Sequence, residues 1–166
     1  LVAIIQAIGG RGCGVAVGDA VDAANREYFA KAEVYHADEL ALLYNKRVAG
    51  APGKAQPLYD RATYRIELLN AGLRSCGTFE DVTMDCTAAI GIMRAHRFRH
   101  GLTVNKSWLY YNHALALWSQ GSYADALTSL EEAVRLDPAD PDPRYLGAQI
   151  LAALGKVPEA RAWLAE

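Results

Sequence analysis

The sequence has 166 residues, 52% of them hydrophobic and 22% charged, with a formal net charge of -2. That length supports one domain with a self-sufficient core, and the balance excludes a disordered chain and a basic nucleic-acid binder. Cys13, Cys76 and Cys86 form no CxxC pair and are too few for a disulfide framework, which argues against structural zinc and thioredoxin-type redox chemistry.

Residues 1–18, LVAIIQAIGGRGCGVAVG, are apolar except for Gln6 and Arg11. At ~1.5 Å per residue this helix reaches about 27 Å, close to the hydrocarbon thickness, and Arg11 near its middle costs roughly 2.5 to 3.5 kcal/mol. Gly10, Gly14 and Gly18 at four-residue steps suit close approach of membrane helices. The expectation is a membrane anchor, set against a glycine-broken soluble segment packed on the rest of the chain. Asp19, Asp22, Glu27 and Glu33 oppose Arg26 and Lys31, so no excess of positive charge holds the remainder of the chain in the cytoplasm. A periplasmic domain is expected, with a soluble cytoplasmic protein as the alternative. Gly9, Gly10, Gly12 and Gly14 lack the Gly-Lys-Ser/Thr ending of a phosphate loop, and Cys13 has no nearby His to activate it.

Residues 20–49 contain neither proline nor glycine and carry Ala24, Tyr28, Val34, Tyr35, Leu42 and Leu43 among charges. Segment 19–50 therefore predicts one long helix, or a pair broken near His36. Gly50 to Pro57 predicts a loop and a boundary, with Gly50 at the helix cap.

Arg94, Arg97 and Arg99 surround His96 and His100. Three cations raise the cost of a dication, so no metal is expected. The run reads either as a basic patch for phosphate, lipid headgroups or an acidic partner, or as solvated charges complementing a helix dipole.

Residues 107–140 carry the strongest local pattern. Tyr110, His113, Ala114 and Leu117 lie on one helical face, Gln120-Gly121-Ser122 breaks the helix, and Tyr123, Ala126, Leu127, Leu130, Ala133 and Val134 form the next stripe before Asp137-Pro138. Ala114 and Ala126 sit where the helices approach most closely, with Tyr123, Leu130 and Leu117 filling the space beside them. Gly121, Tyr123, Ala126, Leu130, Ala133 and Pro138 fall at the intervals of a helix-turn-helix unit that resembles the tetratricopeptide repeat. On that template 63–96 is a divergent repeat with Gly77 in the place of Gly121, Ile66, Leu69 and Leu73 in the places of Tyr110, His113 and Leu117, and Phe79, Val82, Cys86 and Ala89 in those of Tyr123, Ala126, Leu130 and Ala133. The template also sets Cys76 and Cys86 further apart than the roughly 7 Å a disulfide spans. Residues 97–106 are an insertion, and 141–166 a partial repeat through Tyr145, Ala148, Leu151, Gly155, Val157, Ala160 and Leu164. Asp140 and Pro141 are placed to cap and open its first helix.

The resemblance implies an all-α solenoid of antiparallel helical hairpins over 58–166, preceded by a long helix and the apolar segment. It also implies a concave groove that binds a protein partner or peptide segment. Groove positions carried over from the family are Trp108, Tyr111, Asn112, Leu115, Trp118 and Ser119, with Tyr64, Glu67 and Leu68 before them and Tyr145 and Gln149 after. Glu67 and Ala71 stand where some members carry a carboxylate clamp, so a receptor for chaperone tails is not expected. Residues 20–49 offer a competing occupant of the groove through Tyr28, Phe29 and Tyr35.

No GxSxG, HExxH or marked carboxylate pair is present, so an enzyme is not expected, nor any cofactor. The expected role is a scaffold or assembly factor, tethered to a membrane if the apolar segment is an anchor. The alternative is an accessory subunit of a larger glycan-transferring or electron-transferring membrane complex. The preference for arginine over lysine and the many alanines suggest a bacterial source. The sequence opens at Leu1 and closes at Glu166 within a helical pattern, which reads as a piece of a longer protein.

Overall fold

A computed structural model describes residues 39–74, 76–95 and 106–165, all within the compact unit Ala37–Glu166. The expected anchor and its glycines, Cys13, Tyr28, Phe29, Tyr35, His96, Arg97, Arg99 and His100 lie outside the described residues. Among the described residues the secondary structure is helix and turn: α1 (39–49), α2 (Ala55–Asn70), α3 (Phe79–Ala95), α4 (Lys106–Ser119), α5 (Tyr123–Leu136), α6 (Asp142–Ala153) and α7 (Val157–Ala165). Consecutive helices pack as hairpins, α2 with α3, α4 with α5 and α6 with α7, and each hairpin packs on the next.

The α4–α5 hairpin follows directly from its residues. Ala114 and Ala126 are fully buried, so the two backbones meet over methyl groups, with Leu130 and Leu117 buried beside them. Gly121 ends α4 at φ +79, a left-handed conformation that costs a residue with a Cβ, and this lets the Ser122 N–H reach back to the Leu117 carbonyl at 2.9 Å. Tyr123 is not part of the core. As the first residue of α5 its side chain leans back past the helix start, and it stays 38% exposed.

The first hairpin departs from the expected register at its turn. Gly72, rather than Gly77, takes the role of Gly121: it stands at φ +83, and the Leu73 N–H bonds the Leu68 carbonyl at 2.9 Å. Phe79 then opens α3 seven residues after Gly72, against the two that separate Gly121 from Tyr123. The longer turn is closed by a reciprocal cap, in which the Thr78 N–H donates to the Asp81 carboxylate at 2.8 Å and the Asp81 N–H donates to the Thr78 hydroxyl at 3.2 Å. The second helix keeps the expected stripe, with Val82, Cys86 and Ala89 fully buried. Burial pushes the Cys86 thiol up to about 12.

Two boundaries also move. α2 begins at Ala55, inside the expected loop, because Pro57 falls in the first turn, where its missing N–H would have no helical partner anyway. At α6, Pro141 is the cap residue before the helix rather than within its first turn, Pro143 is buried inside that turn, and Asp140, one residue ahead of the cap, accepts the Asp142 N–H at 3.0 Å.

Three overlapping apolar clusters hold the array together. Tyr59, Ile66, Leu69, Val82, Cys86 and Leu109 join the first hairpin to α4, and Leu117, Leu130, Leu146 and Ile150 join the second to α6. Ala148, Leu151 and Ala160 join α6 to α7.

Candidate functional site

The groove positions named on α4 fall into an exposed and a packed set. Trp108 remains 42% exposed, and its ring meets that of Tyr111 edge to face at 6.0 Å. Tyr111, Leu115 and Trp118 are half-buried against the cluster that contains Leu146 and Ile150 of α6. Burial first, then the charges of Asp142 and Asp140, raise the Tyr111 phenol above its ordinary value. Tyr145, one turn after Asp142 on α6, is 62% exposed. Tyr111 thus lies within reach of the carboxylates at the start of α6, with the Trp108 ring against its own.

Asn112 and Tyr64, expected in the same groove, are engaged inside the protein. Asn112 is buried, and its amide donates to the Thr63 hydroxyl at 2.9 Å, tying α4 to α2. Tyr64 is stacked by Tyr44 of α1 at 4.9 Å between ring centroids. The same helix is fastened by Arg47, which bonds Asp60 at 3.0 Å, and by Asn45, which accepts from Arg61 at 2.8 Å. α1 therefore covers Tyr64 on α2. Of the expected basic patch, Arg94 is described; its guanidinium lies 6.0 Å from the Tyr110 ring.

Beneath the helices lies a charged network that was not legible in the sequence. Asp85, 4% exposed, accepts from Arg61 at 2.6 and 2.9 Å and from Arg65 at 2.7 Å. Arg65 also donates to the Cys76 carbonyl at 3.2 Å, which braces the long first turn. Asp85 sits on the buried stripe of α3 beside Cys86, and a carboxylate at such a position is itself the signal that cations must face it.

A second concavity of about 430 Å³ opens between α3, α4 and α5, with His113 in its wall and Arg94 and Glu132 at its margin. Ser129 donates its hydroxyl proton to the Asp125 carbonyl at 3.0 Å, so its oxygen accepts from His113 Nδ1 at 3.0 Å. Nε2 is then left to accept from the Thr87 hydroxyl at 3.2 Å. One neutral imidazole bridges three helices, and burial, against the opposing charge of Asp125, holds its pKa below the ordinary value. Among the described residues no three His, Cys, Asp or Glu side chains converge as metal ligands would.

Comparison with protein families gives a match to the tetratricopeptide repeat over residues 111–166, the span of most of α4 through α7. Comparison with curated proteins gives no match.

Proposed function

We propose that this tetratricopeptide-repeat protein is a scaffold or assembly factor that holds a protein partner along the α4 face carrying Trp108 and Tyr111. Repeats of this family are protein-binding and generally non-catalytic modules. The observation that carries the reading is the exposure of Trp108 and Tyr145, large rings left in water beside half-buried Tyr111. Aromatic side chains that anchor in a partner's surface are the commonest binding hot spots. α1 lies over Tyr64, so the partner is read at the α4 and α6 end of the array.

Pull-down with mass spectrometry on the full chain, in parallel with Trp108→Ala, tests this. The expected result is a partner that the variant loses by about 2 kcal/mol or more of affinity while its thermal midpoint changes little. Equal recovery by both proteins would place binding elsewhere. We further assign residues 1–18 as a membrane tether, on the strength of their apolar run. Carbonate extraction of membranes checks it, and a fully soluble protein that retains these residues would overturn it.

A further inference from the structure

We propose that the α4–α6 face selects a cationic partner segment, with an arginine set against Trp108 and Tyr111 and paired to Asp142. This rests on the proposal that the face binds a protein, and adds the chemistry of the segment it binds.

The argument starts from placement. Asp142, Tyr145 and Leu146 lie at i, i+3 and i+4 on α6 and share one face. Leu146 belongs to the apolar cluster against which Tyr111 is packed, on the same side of α6 as Asp142. The Trp108 ring, 6.0 Å from that of Tyr111, extends the same surface outward. The raised Tyr111 phenol registers both carboxylates, Asp142 and Asp140.

Charge then decides the partner. Asp140 spends one oxygen on the Asp142 N–H, whereas the exposed Asp142 carboxylate makes no ion pair among the described residues. The nearest cation in sequence, Arg144, turns away and donates to the Pro138 carbonyl at 2.6 Å. The face is left with aromatic rings, which attract cations over their centres, and with a carboxylate that no side-chain cation pairs among the described residues. An acidic or C-terminal carboxylate ligand would meet like charge here. Arginine fits better than lysine because its planar guanidinium stacks on a ring while its edge pairs a carboxylate.

Display of random peptides on the folded chain, with counter-selection on Trp108→Ala, tests this without assuming a ligand. The expected result is a set of Trp108-dependent peptides enriched in arginine. Synthetic versions should lose about fivefold in affinity on Asp142→Asn, lose a similar factor when citrulline replaces arginine, and weaken as salt is raised. Asp142 is exposed, and circular dichroism verifies that the variant is folded. Trp108-dependent peptides that lack cationic residues, or that bind Asp142→Asn equally well, overturn this inference and leave the protein-binding face standing. Failure to recover any Trp108-dependent peptide overturns both.

Discussion

Trp163 closes over Gly147 so tightly that a Cβ added to Gly147 would run into the indole ring. The glycine is helical and buried, and the ring that fills its missing side chain belongs to α7. The pair is the lock between the two helices of the third hairpin.

Two effects therefore oppose each other in Gly147→Ala. In an exposed helix interior the change gains about 1 kcal/mol of helix propensity, but overpacking a closed contact costs about 1 to 3 kcal/mol. The closest atoms belong to a bulky ring wedged between helices, so the net change is expected to be destabilising. Thermal melts check the sign, and Trp163→Ala in the same background should relieve the added methyl group.

Asp85→Ala should be among the most damaging single changes to the first hairpin. It leaves Arg61 and Arg65, whose side chains are 19% and 14% exposed, facing each other without their shared carboxylate. Breaking such a buried pair costs about 3 to 5 kcal/mol. Denaturant unfolding measures it, and a loss under about 1 kcal/mol would mean that water reaches the guanidiniums freely.

Acidification should weaken the α3–α4–α5 junction through His113. Its folded pKa lies below the ordinary 6.5, so the unfolded chain takes up a proton first. The stability tied to the neutral ring is fully present above about 6.5 and is lost as pH falls from there towards the lowered folded value. Asp81, lowered chiefly by the Thr78 N–H, loses its contribution in a separate window below its ordinary 3.8. Glu67, raised by burial, acts in the opposite sense above 4.5, so the His113 effect is isolated by difference. Melts of the native protein and His113→Gln across this range should diverge at neutral pH and converge on acidification.

Ala126→Leu should overpack the crossing with Ala114, both fully buried, at a cost of about 1 to 3 kcal/mol. An unchanged thermal midpoint would contradict the close backbone approach there.

The central hairpin was legible because each of its signals is local. Gly121 needs a left-handed turn, Pro138 follows the helix end, and Ala114 and Ala126 mark the crossing, all without reference to distant residues. The first hairpin was harder because Gly72 and Gly77 are each able to end a helix. The Leu73–Leu68 hydrogen bond closes α2 at Gly72, and Gly77 instead falls in the long turn that Arg65 braces and Thr78 and Asp81 close. Trp108 and Tyr145 were recognisable as ring-bearing positions of a helical face. The engagement of Asn112 with Thr63, and the covering of Tyr64 by Tyr44, depend on neighbours that periodicity within one helix does not encode.

The chain of overlapping clusters also bears on how this domain is made. Each hairpin is closed by helices adjacent in sequence, so the described domain assembles through short loops, with little entropy lost to long-range closure. The first hairpin has its partners as soon as α3 is synthesised. The bond from Asn112 to Thr63, spanning 49 residues, waits for α4 and then fastens the newer hairpin onto the older one. The protein is therefore suited to grow on the ribosome one hairpin at a time, each folded pair serving as the platform for the next.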